Sequence, residues 1–171
     1  MNETLNTLLH RASPRSFRPE HIEKEKLDLI LQAGLKAPSG KNAQTPVFIV
    51  VTRDETVEKL SKLNAAVMGM DCDPFYGAKD VIIVLVKKEA CWQYDGPIAM
   101  GNMLNAAFSL GVDSRWIHRA KQIFESDAGK AILADLGITE ELEGVGFCVL
   151  GYSDEKPQPK EILPGRVYTI A

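Results

Sequence analysis

Residues 81–86 read Val-Ile-Ile-Val-Leu-Val, the most continuous apolar run of the chain. A run of this length, rich in β-branched side chains, predicts a central strand that is covered on both faces. Residues 47–52 and 145–150 have a similar composition and predict two further buried strands. The segments are separated by more residues than a hairpin allows, and no regular βαβ alternation is present. We therefore expect a mixed sheet flanked by helices.

Helical periodicity fills most of the sequence between these strands. The helix predicted over residues 95–110 is apolar on nearly every side, so it must be buried against the sheet or against a partner chain. Asn102 and Asn105 interrupt it, and each needs a hydrogen-bond partner from the protein or from a ligand. Gly111 suits the left-handed conformation that ends such a helix. Further helices are predicted over residues 2–10, 23–36 and 56–67, with one or two short helices over residues 121–136.

Irregular segments separate these elements. Residues 68–79 contain two glycines and a proline and predict a flexible lid or insertion, and residues 112–120 predict a loop or a short strand. A tail with prolines and lysines, residues 151–164, precedes a small β-like end over residues 167–170. This end is too apolar to trail in water and too short to form its own sheet. We expect it to add to the edge strand of a neighbouring subunit, which favours a homodimer.

Composition restricts the class of protein. The chain has 171 residues, 45% of them hydrophobic and 25% charged, and its formal net charge is −3. These values predict one folded domain over residues 1–171 without a general attraction to nucleic acid or to an anionic membrane. The N-terminus lacks the pattern of a signal peptide, so we expect a cytoplasmic protein. The three cysteines and three histidines are widely scattered, which predicts reduced thiols and no metal site.

An arginine-rich loop is the first candidate for binding chemistry. Arg11, Ser13 and Arg15 alternate on a segment that Pro14 and Pro19 keep extended. Alternate residues of an extended segment point the same way, so two guanidinium groups and a hydroxyl project from one side. Guanidinium groups bind phosphate in a bidentate manner and stay charged at all accessible pH. The loop therefore predicts a cradle for a phosphate and a polar ring; the alternative is a solvated basic loop.

A second polar loop lies between Pro38 and Pro46. Its small and amide-bearing residues predict a rigid loop with free backbone donors that holds a polar ligand, with an ordinary turn as the alternative. Gly40-Lys41 superficially matches a nucleoside-triphosphate loop, but the spacing is one residue too long and the loop precedes its strand. The sequence also lacks the glycine motif of dinucleotide folds and the nucleophile elbow of hydrolases.

In their order and spacing, these segments resemble the FMN-dependent nitroreductase family, in particular its short-chain branch. The motifs that carry the resemblance are Arg11-x-Ser13-x-Arg15-x-Phe17, Ala37-Pro38-Ser39-x-x-Asn42-x-Gln44, Asn102-Met103-Leu104-x-Ala106-Ala107-x-Ser109-Leu110-Gly111 with Trp116-Ile117 after it, and Leu150-Gly151-Tyr152. The resemblance implies a three-layer, nitroreductase-like α+β fold. It also implies an obligate homodimer that binds two FMN molecules at the subunit interface and exchanges its C-terminal extension.

The resemblance further implies a role for each basic residue. Arg11 would contact the FMN phosphate, Ser13 the ribityl chain or a ring oxygen, and Arg15 the pyrimidine edge of the flavin. In the tail, Lys160 matches the basic position that meets the phosphate in relatives, and Arg166 is the alternative.

Two other segments would complete the cofactor site. From the other subunit, Pro38, Ser39 and Asn42 would line the opposite side of the flavin. The stretch Trp116-Ile117-His118-Arg119 matches the segment whose backbone amides approach the flavin nitrogen that accepts hydride. Many relatives have an acidic or a small residue where His118 and Arg119 stand, so the side chains above the ring depart from the family pattern.

The implied activity is a ping-pong transfer of electrons from NAD(P)H, through FMN, to a nitroaromatic, quinone or related small-molecule acceptor. The flavin supplies the hydride chemistry and the positive charge of Arg15 would stabilise its reduced form, so no catalytic acid or base is required. Phe75, Tyr76 and Trp116 offer stacking surfaces for planar substrates, or else pack in the core. The alternative function is a flavin-binding redox sensor or FMN carrier with little turnover, which crowding by His118 and Arg119 would favour.

Overall fold

The computed structural model describes residues 1–89 and 91–170, so Ala90 and Ala171 lie outside the described residues, and its centre is a four-stranded sheet. The strands are β1 (Pro46–Val51), β2 (Asp80–Lys87), β3 (Asp113–Ile117) and β4 (Leu142–Gly151). Their order is β1-β2-β4-β3, so β1 and β3 are the two edges.

Each pair of neighbouring strands is antiparallel, whereas the sequence predicts a mixed, mostly antiparallel sheet. The reason is the position of β4. Both β2 and β3 run antiparallel to β4, and therefore parallel to each other, but β4 lies between them and keeps them from pairing.

Helices cover both faces of the sheet, and each helix predicted from the sequence is present. In the described part of the chain they are α1 (Glu3–His10), α2 (Lys24–Leu35), α3 (Asp54–Met68), α4 (Trp92–Ser109), α5 (Ala120–Glu125) and α6 (Asp127–Asp135). The end of α4 has the predicted cap. Gly111 has a φ of 70°, its N–H bonds to the Phe108 carbonyl at 3.1 Å, and the Val112 N–H bonds to the Ala107 carbonyl at 2.9 Å, a Schellman motif.

The core has two layers because the side chains of β2 alternate between the faces of the sheet. Val81, Ile83 and Leu85 face α3 and α5, whereas Ile82 and Val84 face α2 and α4. All five side chains are completely buried. This arrangement confirms the predicted three-layer α+β fold.

Residues 74–79 do not form the flexible lid that the sequence predicts. The Phe75 side chain is 1% exposed, and its ring lies 5.2 Å from the ring of Phe147. The Asp73 carboxylate accepts hydrogen bonds from the N–H groups of Phe75 at 2.9 Å and Gly77 at 2.6 Å. These contacts pin the second half of the segment to the core, and only residues 69–73 are exposed throughout.

The tail after β4 is extended. Residues 167–170 form no strand within the single chain, and their expected pairing with the edge strand of a neighbouring subunit stays a prediction. Val167, Tyr168 and Ile170 are 86%, 90% and 102% exposed. Across the described residues, none of the helices has the combination of length and apolarity that crossing a membrane requires.

Candidate functional site

The arginine-rich loop is held at both ends by backbone hydrogen bonds. At its start, the Arg11 N–H donates to the Thr7 carbonyl at 3.0 Å, and at its end the Phe17 N–H donates to the Tyr76 carbonyl at 2.9 Å. Within the loop, Arg11 Nη1 donates to Ser13 Oγ at 3.1 Å. The structure therefore places these two predicted binding residues side by side on a fixed backbone.

Arg115 on β3 clamps the middle of this loop. Its Nη1 donates to the carbonyl oxygens of Ser13 at 3.1 Å and Pro14 at 3.2 Å. The guanidinium carbon lies 5.0 Å from the centre of the Tyr76 ring, within the range of a cation–π interaction. Arg15 keeps its side chain exposed, while its backbone N–H donates to Glu155 Oε2 at 2.6 Å. No sequence pattern indicates Arg115, because its partners lie about a hundred positions away along the chain.

Tyr152 secures the chain just beyond the loop. Its carbonyl accepts from the Arg18 N–H at 2.7 Å. Its hydroxyl donates to the Glu23 carboxylate and accepts from Lys26 Nζ at 2.8 Å. The hydrogen bond from Tyr152 is the largest cause that lowers the pKa of Glu23 to about 2. Burial and the same hydrogen bond raise the pKa of Tyr152.

Of the predicted residues 116–119, Trp116 and Ile117 end the strand that carries Arg115, and His118 and Arg119 form the corner after it. Arg119 has a left-handed φ of 75°, and its Nε donates to Asn64 Oδ1 at 2.8 Å. The arginine side chain therefore turns back towards α3, and only His118 is left exposed. Crowding of the flavin by these two residues stays a prediction, and in this chain the Arg119 side chain is held by Asn64.

A buried carboxylate organises the second polar loop. Asp95, in the first turn of α4, accepts a hydrogen bond from the Gly40 N–H at 2.9 Å and another from the Thr45 hydroxyl at 2.7 Å. Ser39 Oγ accepts from the Gln44 N–H at 2.9 Å. Three residues of the loop have left-handed φ values, Lys41 at 54°, Asn42 at 55° and Gln44 at 50°. The predicted rigid loop is therefore present, and Asp95 is the residue that the sequence analysis missed.

The two loops lie at opposite edges of the sheet. The loop with Arg11 and Ser13 is attached to β3 through Arg115, whereas the loop with Ser39 and Asn42 leads directly into β1. Adjacent strands are about 4.8 Å apart, so three strand spacings separate the edges by about 14 Å. Within a single chain, Arg115 ties the loop of Arg11 and Ser13 to the strand that residues 116–119 continue, whereas Pro38, Ser39 and Asn42 precede the strand at the other edge.

The remaining predicted residues have simpler surroundings. Within the described ranges, Lys160 makes no hydrogen bond or ion pair with the arginine-rich loop, since its segment extends away as an exposed tail. Asn102 Nδ2 donates to the Ala33 carbonyl at 3.2 Å, which is the structural alternative for this residue. Trp116 Nε1 is buried without a partner, against the backbone of Gly146. Phe75 is a core residue and offers no stacking surface to a substrate.

The surroundings of the metal-ligating side chains and of the cysteines are as follows. Among residues 1–89 and 91–170, no three His, Cys, Asp or Glu side chains converge in a way that could hold a metal ion. The cysteines are free: Cys72 and Cys91 are exposed and Cys148 is buried. Burial raises the pKa of the Cys148 thiol to about 12, so this thiol stays protonated and is a poor nucleophile.

Comparison with known proteins gives the class. The model of the nitroreductase family matches residues 8–69. A protein of Archaeoglobus fulgidus, provisionally named an NADH dehydrogenase/NAD(P)H nitroreductase, is 31% identical over 163 residues, which cover 91% of this chain and 89% of that protein. A nitroreductase with bound FMN from Bacteroides fragilis has a TM-score of 0.90 and 28% identity over 100% of both chains. Another from Desulfitobacterium hafniense has a TM-score of 0.89 and 26% identity, again over 100% of both chains.

The fold, the arginine-rich loop and these similarities all point to one family. The chain belongs to the nitroreductase family.

Proposed function

We propose that this protein is an FMN-dependent oxidoreductase that takes electrons from NAD(P)H. The observation that carries the proposal is the pinned loop on which Arg11 and Ser13 lie within hydrogen-bond distance of each other, 3.1 Å apart, beside the β3 corner. Relatives support the same chemistry: the similar protein of A. fulgidus is named for NAD(P)H, and two structures of the same fold contain FMN.

The residues at the β3 edge fit the chemical groups of FMN. A phosphate needs a fixed cation, and the half-buried Arg11 guanidinium supplies one. Ser13 provides a hydroxyl for the ribityl chain or a ring oxygen. The exposed guanidinium of Arg15 would meet the pyrimidine edge, and the backbone of residues 116–119 would provide the donor for the flavin nitrogen. Each of these groups is a donor or a cation, as an anionic, acceptor-rich cofactor requires.

The opposite edge of the sheet supplies the other half of the site from a second copy of the chain. Because Ser39 and Asn42 precede β1, at the other edge of the sheet from β3, we expect them to reach the flavin from the second subunit of a homodimer. The tail is exposed and carries apolar residues, among them Ile162 at 79% and Tyr168 at 90% exposure, and this favours its exchange between subunits. In that arrangement Lys160 or Arg166 of the tail meets the phosphate.

The chemistry requires few protein groups. Bound FMN supplies hydride and electron transfer to the reaction. The chain holds the cofactor through Arg11, orients it through Ser13 and the backbone after β3, and favours its reduced, more negative form through the charge of Arg15. NAD(P)H and a small acceptor, a nitroaromatic or a quinone, would be the two substrates of a ping-pong cycle. The inward-turned side chain of Arg119 supports turnover over the role of a redox sensor or FMN carrier.

The absorption spectrum of the purified full-length protein tests this function. We expect a yellow protein whose flavin band is bleached by NADH or NADPH and restored by a nitroaromatic or a quinone. A colourless protein that takes up no added FMN would remove the proposal. A yellow protein whose flavin is not reduced by either nicotinamide would favour the redox sensor or carrier.

Light scattering after gel filtration tests the homodimer. The full chain is expected to run as a dimer, and a variant that ends at Lys156 is expected to run as a monomer with weaker FMN binding. This variant keeps the contact between Glu155 and Arg15, so its loss of FMN reports on the tail alone. A full-length monomer that binds FMN stoichiometrically would contradict the shared site.

A further inference from the structure

One buried side chain fixes the peptide between His118 and Arg119 from behind. Asn64 lies within α3 and is 0% exposed. Its Nδ2 donates to the His118 carbonyl oxygen at 2.8 Å, and its Oδ1 accepts from Arg119 Nε at 2.8 Å. The donor and the acceptor of this one side-chain amide therefore form hydrogen bonds with two consecutive residues of the corner after β3.

This contact determines where the Arg119 N–H points. The peptide is trans, as are the others in the described ranges, so its carbonyl and its N–H point in opposite directions. Since the carbonyl of His118 points to Asn64, the N–H of Arg119 points away from α3. This N–H donates no hydrogen bond to any residue that the structure describes. It is a fixed donor that is free for a ligand.

The conformation of Arg119 depends on the same contact. A φ of 75° is unfavourable for a residue with a Cβ, and such a conformation persists only where the surroundings hold it. Asn64 holds the residue at two points, through the preceding carbonyl and through the side chain. The Arg119 side chain is hydrogen-bonded to Asn64. The corner therefore offers the backbone N–H of Arg119 to a ligand, and not its guanidinium.

We propose that Asn64 is a positioning residue for the flavin: it holds the 118–119 peptide so that the Arg119 N–H donates to N5, the flavin nitrogen that accepts hydride. The proposal rests on the proposed function. N5 of an oxidised flavin is an acceptor, and a donor fixed in advance costs no reorganisation when the cofactor binds or reacts. Asn64 itself touches no cofactor and acts only through the backbone.

The test is the ¹⁵N resonance of N5 in labelled FMN bound to the full-length protein. A hydrogen bond to this type of nitrogen moves its resonance upfield, so we expect a downfield shift in Asn64→Leu, together with flavin reduction by NADH that is slower by about tenfold. Asn64→Asp keeps an acceptor for Arg119 but cannot donate to the His118 carbonyl, and the same downfield shift is expected. Asn102→Leu is the matched control, because Asn102, like Asn64, is a helical asparagine whose side chain donates to a backbone carbonyl, here that of Ala33. The control is expected to keep both the resonance and the rate.

A fourth variant separates the backbone from the side chain. Arg119→Gly keeps the N–H and relaxes the left-handed conformation, so the N5 resonance is expected to stay where it is in the unchanged protein. Circular dichroism of each apoprotein identifies a variant that fails to fold. If Asn64→Leu fails to fold, the N5 resonances of Asn64→Asp and Arg119→Gly test the inference.

An unshifted N5 resonance in folded Asn64→Asp would overturn the inference and leave the proposed function intact. A downfield shift in Arg119→Gly would overturn it too, since it would assign the contact to the guanidinium. Failure of the unchanged protein to bind FMN would instead remove the proposed function.

Discussion

Asp95 and Gly40 are joined by a hydrogen bond of 2.9 Å from the Gly40 N–H to a carboxylate that is 2% exposed. The other oxygen of the same carboxylate accepts from Thr45 at 2.7 Å, so one side chain fixes both ends of the loop between them. Asp95→Ala leaves two inward-facing donors without a partner. We expect the free energy of unfolding in urea to fall by about 3 kcal/mol, and FMN binding to weaken because the loop loses its shape.

The matched control for this prediction is Thr45→Val, which removes one of the two hydrogen bonds at nearly constant volume. A loss of about half that size is expected. Equal losses in Thr45→Val and Asp95→Ala would show that the Gly40 contact contributes nothing.

Arg115→Met removes the clamp on the arginine-rich loop while it keeps a long apolar side chain over Tyr76. The Ser13 and Pro14 carbonyls then lose a charged donor, so we expect the free energy of unfolding to fall by about 2 kcal/mol and FMN affinity, measured by fluorescence titration, to fall by about tenfold. Arg53→Met is the control, since Arg53 is an exposed arginine that precedes α3. An FMN affinity that is the same in both variants would exclude Arg115 from positioning the loop.

Arg11→Ala and Arg15→Ala are expected to separate binding from redox tuning. Loss of the phosphate contact in Arg11→Ala should weaken FMN binding by about tenfold to a hundredfold. Loss of the exposed charge in Arg15→Ala should mainly make the flavin midpoint potential more negative, because the reduced form loses its stabilising cation. Affinity titration and potentiometry of the two variants check these roles, and equal effects on both quantities would contradict them.

The Tyr152–Glu23 pair predicts a response to acid. The pKa of Glu23 is lowered from 4.5 to about 2 in the folded chain, so the unfolded chain binds the proton more tightly. The stabilisation by this pair is fully present above pH 4.5 and is lost as the pH falls through about 2. Tyr152→Phe removes the largest cause of the shift, and we expect urea unfolding of this variant to depend less on pH within this window. An unchanged pH dependence would exclude the pair as a contributor.

The sequence was sufficient for the parts of the protein that local patterns determine. Six consecutive apolar residues predicted the central strand, and Pro14 and Pro19 predicted the extended loop that Arg115 holds. It was insufficient where the partner is far along the chain. Arg115, Asp95 and Asn64 each act on residues fifty or more positions away, and no spacing rule predicts such pairs.

Glycine obscured the start of β4. The predicted strand begins at residue 145, whereas β4 begins at Leu142 and passes through Gly144. A Cβ at that position would lie 2.2 Å from the backbone of Ala120, so the glycine reflects the close approach of α5 and not a break in the strand. Likewise, Pro74 and Gly77 predict a flexible segment over residues 74–79, although Phe75 between them is buried in the core.

In the proposed dimer, the residues that bind FMN come from opposite edges of the sheets of two chains. FMN binding and dimerisation are therefore coupled. A monomer contains only part of the FMN-binding site, so the fraction of chains with bound FMN rises with protein concentration. FMN binding in turn favours dimerisation by mass action. Dilution of the loaded protein would then release cofactor and subunits in the same concentration range. The flavin would then stabilise the dimer in addition to serving as the redox centre.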